Sequence, residues 1–199
     1  MQNNYILTGS IASGKSSVLQ IIADEGYMTI SADDVVKELY KDEEFLKNFK
    51  ELIGEEYFAE GLKLDKDKMR CAIFTDAAFK EKVEAFVHPL VYKKIKDMLV
   101  DGINFIEVPL FFEAKKYFDE ANIEIKGIIF VDIDKDIQVE RLMNRNNITK
   151  EEAVYRIDTR ITNDEKAKLA DYIILNNSTH SDLKREVLKT LERINEEAN

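Results

Sequence analysis

Near the N-terminus the stretch GSIASGKSS (9–17) places two glycines, a lysine and several hydroxyls directly after the apolar run YILTG. A tight turn needs one glycine and no lysine. The spacing fits G-x-x-x-x-G-K-[ST] without a gap, with Gly9, Gly14, Lys15 and Ser16 at the defining positions. In such a loop the backbone N–H groups of Ser10, Ile11, Ala12, Ser13, Gly14, Lys15, Ser16 and Ser17 wrap a phosphate chain, and the following helix points its positive end at the same anion. The pattern assigns Lys15 to the β- and γ-phosphates and the Ser16 hydroxyl to Mg²⁺. Tyr5, Ile6 and Leu7 read as a buried strand before the loop. Val18, Ile21 and Ile22 fall at helical spacing after it, ending at Gly26.

Further acids and bases follow other apolar runs. Asp33 and Asp34 come after MTIS and open a helix. Each either caps that helix or accepts a hydroxyl proton during phosphoryl transfer, and their position leaves both readings open. Glu107 lies late in FIEVP, where a carboxylate holds a metal-bound water, although its burial needs a partner. Glu113 follows PLFF, as a charge at a helix start or as a substrate contact. His88 precedes Pro89 in EKVEAFVHPLVYKKI, where the proline is expected to kink or restart the helix. Arg141 and Arg145 sit four apart without an acid at pairing distance on their helix, so an external anion would relieve their repulsion. The segment 135–168 holds eight Lys/Arg against seven Asp/Glu, whereas the rest of the chain holds 21 against 32. The cationic charge suited to phosphates is therefore concentrated there.

Elements must bring these scattered groups together. Five apolar runs, at 5–9, 28–31, 105–109, 127–133 and 171–176, read as buried strands. Helical patterns at 15–25, 34–53, 66–100, 135–146, 150–170 and 180–197 separate them. Such alternation implies a mostly parallel sheet covered on both faces, with ligands outside the carboxyl ends of the strands. The loop, SADD and PLFFE all leave strands on that edge. The all-helical stretch 34–100 reads as a substrate-side insertion, and GEEYFAEGLKLD (54–65) as a loop with a possible helical turn.

The 199 residues amount to one domain, and a formal net charge of −10 argues against nucleic acid or an anionic membrane as partner. Cys71 alone allows no internal disulfide and suits a reducing compartment. No basic leader or long apolar run is visible, so a soluble cytosolic protein is expected.

In the order and spacing of GSIASGKSS, SADDVVKELY, MRCAIF, VEAFVHPLV, VPLFFE, QVERLMNRNNITKEEAVYRI and EKAKLADYIILNNS, the chain resembles the dephospho-coenzyme A kinase family nearly end to end. The resemblance implies a P-loop kinase fold with strand order 2-3-1-4-5. It implies a core of 1–33, 101–134 and 170–199, a coenzyme A-binding insertion at 34–100 and a lid at 135–169. The implied reaction moves a phosphoryl group from ATP, with Mg²⁺, to the 3′-hydroxyl of dephospho-coenzyme A. Asp33 matches the catalytic aspartate, with Lys15 and Arg141 beside it. Thr8, His88, Leu110 and Glu113 match the acceptor side, Arg141 and Arg145 the lid, and Asn176 and Asn177 a loop beside the adenine. The expected assembly is a monomer or weak homo-oligomer. Four positions depart from the family pattern: Ala12 for glycine, Ser31 for aspartate, Arg160 for glutamine and Ser17 for threonine. A different small-molecule P-loop kinase is the nearest rival. A regulatory GTPase lacks support, since neither N-K-x-D nor D-x-x-G after the third strand occurs.

Overall fold

The computed structural model describes residues 1–158 and 163–198, with 163, 164 and 198 described by backbone alone. Five strands, β1 (Gln2–Gly9), β2 (Met28–Ser31), β3 (Gly102–Glu107), β4 (Gly127–Asp132) and β5 (Tyr172–Leu175), form one sheet in the order β2-β3-β1-β4-β5. Every pairing is parallel. The expected fold and strand order are those observed. Parallel pairing requires crossovers, and helices covering both faces explain why β1 is buried from Asn4 through Gly9 rather than alternating.

The pleat divides the core in two. Ile6, Ile30 and Ile106 face α2 (Ala32–Leu39), α3 (Glu43–Ile53), α5 (Ala77–Met98) and α6 (Phe111–Glu120), packing with Phe45, Phe49, Ile95 and Phe118. Tyr5, Leu7, Phe105 and Ile129 face α1 (Lys15–Asp24) and α10 (His180–Ala198), against Val18, Ile22, Val187 and Ile194. A third small cluster joins α7 (Lys135–Asn146) to α8 (Lys150–Asp158) through Val139, Leu142 and Ala153, and Ile11 and Ala12 of the phosphate loop pack on it.

Several helical runs are shorter than their patterns suggest. The run 34–53 divides into α2 and α3 because the Asp42 side chain accepts the Phe45 N–H at 2.8 Å and starts a new helix. The run 66–100 divides into α4 (Lys66–Thr75) and α5 because Asp76 accepts the N–H groups of Ala78 and Phe79. Pro89 does not restart a helix: α5 continues through it from Ala77 to Met98. The proline removes only its own N–H from the ladder, and the flanking turns of a 22-residue helix packed through Val83, Val87, Val91 and Ile95 hold the rest. Residues 54–65 contain one short 3-10 turn, Glu55–Tyr57, and a bridge between Phe58 and Leu64. The run 150–170 contains α8 and α9 (Asn163–Ala167), and Arg160 between them lies outside the described residues. No described helix is long and apolar enough to cross a membrane.

Candidate active site

The loop between β1 and α1 sits at the carboxyl edge of the sheet, where parallel strands leave a crevice. Two of its glycines are required by geometry. A Cβ on Gly9 would lie 2.6 Å from the Val131 carbonyl oxygen, and Gly14 combines φ +92° with a would-be Cβ 2.2 Å from Asn176 Nδ2. Ala12 occupies the left-handed region at φ +60°. The departure from glycine there carries backbone strain of about 1–2 kcal/mol, offset in part by the packing of Ala12 against the α7–α8 cluster. Lys15 Nζ donates to the carbonyls of Gly9 and Ser10, at 2.9 Å each. The hydroxyls of Ser10 and Ser13 are buried without a partner among the described residues.

A cleft of about 470 Å³ opens over this loop. It is bordered by Ile11, Ala12, Gly14, Lys15, Ser16 and Ser17 on one side and by Asp33, Glu107, Arg141 and Arg145 on the other. A second cleft of about 510 Å³ lies toward the helical insertion, between α2, α5 and α6. Lys80, Glu84, His88, Leu110, Glu113 and Lys116 border it. Asp33 and Pro109 border both clefts, and of the two only Asp33 carries a group able to accept a proton. An acid-rich recess formed by Ser16, Asp33, Asp34 and Glu107 adjoins them.

Tertiary structure separates the two neighbouring aspartates. Ser31 occupies the N-cap of α2, so neither aspartate is the cap residue. Asp34 is engaged by Lys37 Nζ at 2.6 Å, whereas Asp33 faces both clefts. Glu107 is buried at 6% exposure and accepts a hydrogen bond from the Ser31 hydroxyl at 3.1 Å. The serine that departs from the usual aspartate thus pairs with a buried carboxylate, where a second carboxylate would repel it. Burial pushes the Glu107 carboxyl up; the Ser31 hydrogen bond and the Lys15 charge oppose this. Burial pushes the Lys15 ammonium down to about 8, against the pull of Glu107 and Asp33 and reinforced by Lys166 and Arg145.

Arg141 is half-buried, its Nη2 3.5 Å from Asn176 Oδ1, while exposed Arg145 donates through Nε to Asn146 Oδ1 at 3.0 Å. Among the described residues neither reaches a carboxylate, and their own helix offers none at pairing distance. His88 stands edge-on to Tyr117 with ring centroids 4.2 Å apart. Its Nδ1 is buried without a partner among the described residues, and burial lowers its pKa, which favours the neutral ring.

Two expected residues stand behind the clefts. Thr8 is 2% exposed, and its hydroxyl lies 3.5 Å from the Pro109 carbonyl oxygen, so it borders neither cleft and bears on the acceptor side through Pro109. Asn177 Oδ1 accepts the Asp134 N–H at 2.8 Å and anchors the start of α7. Lys166, on α9, went unnoticed in the sequence. It is 4% exposed, and its charge is felt at Lys15. A lysine in the polar run EKAK carries no signal of burial; only the placement of α9 against β4 reveals it.

The family model described as dephospho-CoA kinase matches residues 5–182. The chain is 31% identical over 193 residues to a dephospho-CoA kinase of Sulfurimonas denitrificans, covering 94% of this chain and 92% of the relative. It is 32% identical over 196 residues to one from Oceanobacillus iheyensis, with coverages of 95% and 96%. Among solved structures, a dephospho-CoA kinase from Campylobacter jejuni superposes with TM-score 0.70 at 29% identity over all of both chains. A shikimate kinase from Bacteroides thetaiotaomicron superposes with TM-score 0.55 at 13% identity, covering 97% of this chain and 98% of that one, which is a likeness of fold alone.

Proposed function

This chain belongs to the dephospho-CoA kinase family, and on that premise we propose how its residues carry the reaction. The enzyme phosphorylates dephospho-coenzyme A with ATP, in coenzyme A synthesis. The acceptor is the 3′-hydroxyl: its oxygen bonds to the γ-phosphorus of ATP, the bond from that phosphorus to the bridging oxygen breaks, and ADP and coenzyme A leave. The hydroxyl proton passes to Asp33. The observation that carries this reading is that Asp33 borders both the loop cleft and the insertion cleft, so one carboxylate stands between donor and acceptor.

The loop N–H groups and Lys15 hold the β- and γ-phosphates, and Arg141 and Arg145 meet charge that develops on the transferred group. In the acceptor cleft His88, Leu110 and Glu113 position dephospho-coenzyme A, and Thr8 fixes Pro109 behind it. Asn177 serves the ATP side by anchoring α7. The Ser16 hydroxyl would be the direct ligand of Mg²⁺, and the Glu107 carboxylate lining the same recess would hold a metal-bound water, a hard-oxygen pair that suits this ion. When bound, Mg²⁺ neutralises charge on the phosphate oxygens. Within this scheme 34–100 binds the acceptor, 135–169 forms the lid, and the rest is core. A cytoplasmic monomer or weak homo-oligomer completes the picture.

Asp33→Asn tests the assignment, because it keeps shape while removing basicity. With ATP and dephospho-coenzyme A, kcat should fall about 10²–10⁴-fold, with ATP affinity and Tm nearly unchanged. A fully active Asp33→Asn enzyme would end the catalytic role and make Asp34 the next candidate.

A further inference from the structure

Two side-chain carboxamides grip the phosphate loop from behind, and the reaction scheme above uses neither. Gln138 on α7 is 1% exposed, and its Nε2 donates to the Ile11 carbonyl at 2.8 Å. Asn176, just past β5, is 6% exposed, and its Nδ2 donates to the Ser13 carbonyl at 2.7 Å. They come from different elements and take alternate peptide units of one short loop.

We propose that Gln138 and Asn176 are positioning residues for ATP: by holding the carbonyls of Ile11 and Ser13 outward, they turn the N–H groups of Ala12 and Gly14 toward the phosphates. A trans peptide is planar, with its C=O and N–H on opposite sides, so fixing one direction fixes the other. The peptide unit bearing the Ile11 oxygen carries the Ala12 N–H, and that bearing the Ser13 oxygen carries the Gly14 N–H. Ala12 and Gly14 are also the loop's two left-handed residues, at φ +60° and +92°. For alanine that conformation is not the resting preference. At Ala12 the loop is therefore held in a shape its own residue does not select, and the carboxamides are side chains from outside the loop that hydrogen-bond its peptide units there. Asn176 further ties this frame to Arg141, whose Nη2 lies 3.5 Å from its Oδ1. Gln138 stands one turn before Arg141 on the helix that buries Val139 and Leu142 beside Ile11 and Ala12.

The inference rests on the reading that this loop binds ATP. Gln138→Glu and Asn176→Asp preserve size but face each carbonyl with a carboxylate oxygen instead of an N–H donor. Equilibrium binding of ATP at about pH 8 should weaken by about 10–100-fold in either variant. The KM for dephospho-coenzyme A should stay within about twofold, which general loosening of the fold would not produce. Lowering the pH protonates the introduced carboxyl and returns a donor, so ATP affinity relative to the parent should recover. Gln138→Met and Asn176→Ser remove the grip without adding charge and should weaken ATP binding in the same direction. In the unsubstituted enzyme the carboxamide protons of both residues should exchange slowly with solvent. ATP affinity within twofold of the parent in the folded variants, or bulk-rate exchange of those protons, overturns the proposal. A parent that fails to bind ATP overturns the loop assignment itself.

Discussion

The depressed pKa of Lys15 makes a pH profile a direct probe of the loop. Its ammonium lies half-buried against the Gly9 and Ser10 carbonyls, and burial pushes it down to about 8. Carbonyls satisfy the N–H donors but supply no net negative charge, while Glu107 and Asp33 recover part of the lost stabilisation. If only the charged form binds triphosphate, a midpoint near 8 means that about nine-tenths of the free enzyme is competent at pH 7 and about one-tenth at pH 9. The value of kcat/KM for ATP, which reports the free enzyme, should therefore drop about tenfold across that interval. The bound triphosphate places negative charge beside the ammonium and raises its pKa again. At saturating ATP, kcat should stay level over the same range. Glu107→Gln removes the carboxylate that does most to raise the Lys15 pKa, so the midpoint should move to lower pH. Initial rates measured from about pH 6.5 to 9.5 with saturating dephospho-coenzyme A give both profiles. A kcat/KM for ATP that stays flat to pH 9.5, or a midpoint that moves upward in Glu107→Gln, would refute the reasoning.

Two further outcomes are expected. Arg141→Ala and Arg145→Ala should each lower kcat by about 10–1000-fold while leaving the KM for dephospho-coenzyme A within about twofold. An effect confined to that KM would move the arginine concerned to the acceptor site. His88→Phe retains the ring against Tyr117 but removes Nδ1, which is buried without a partner among the described residues. It should raise the KM for dephospho-coenzyme A by about tenfold and leave the KM for ATP unchanged; equal changes in both would show that the histidine serves packing alone.

Much of this molecule is written locally. The phosphate loop needs a strand, a glycine-rich turn and a helix in immediate succession, so its position is readable from residues 5–22 alone. The strands announce themselves because a parallel sheet covered on both faces favours apolar runs, although the edge strand β5 leaves Ile173 and Leu175 exposed. Even the helix breaks at Asp42 and Asp76 carry a local sign, an aspartate accepting N–H groups two or three residues on. The expectation of a possible new helix start at Pro89 was also local, and there the helix instead runs on from Ala77 to Met98, packed through Val83, Val87, Val91 and Ile95.

What only the folded chain decided is which side chains meet across long separations. Asp33 and Asp34 are adjacent and chemically identical, and their separation into a cleft-facing group and a Lys37 partner depends on where α2 docks. Ser31 reaches Glu107 across 76 positions, Gln138 reaches Ile11 across 127, and Asn176 reaches Ser13 across 163. Each contact closes to a hydrogen-bond distance of about 3 Å, a proximity fixed by sheet order and helix placement and not by any periodicity. Lys166 is the extreme case, a lysine in a polar run that α9 carries into the interior, where its charge is felt at Lys15. Burial and pairing follow from how elements pack, and a residue's type and immediate neighbours carry no information about a partner that topology brings from the far end of the chain.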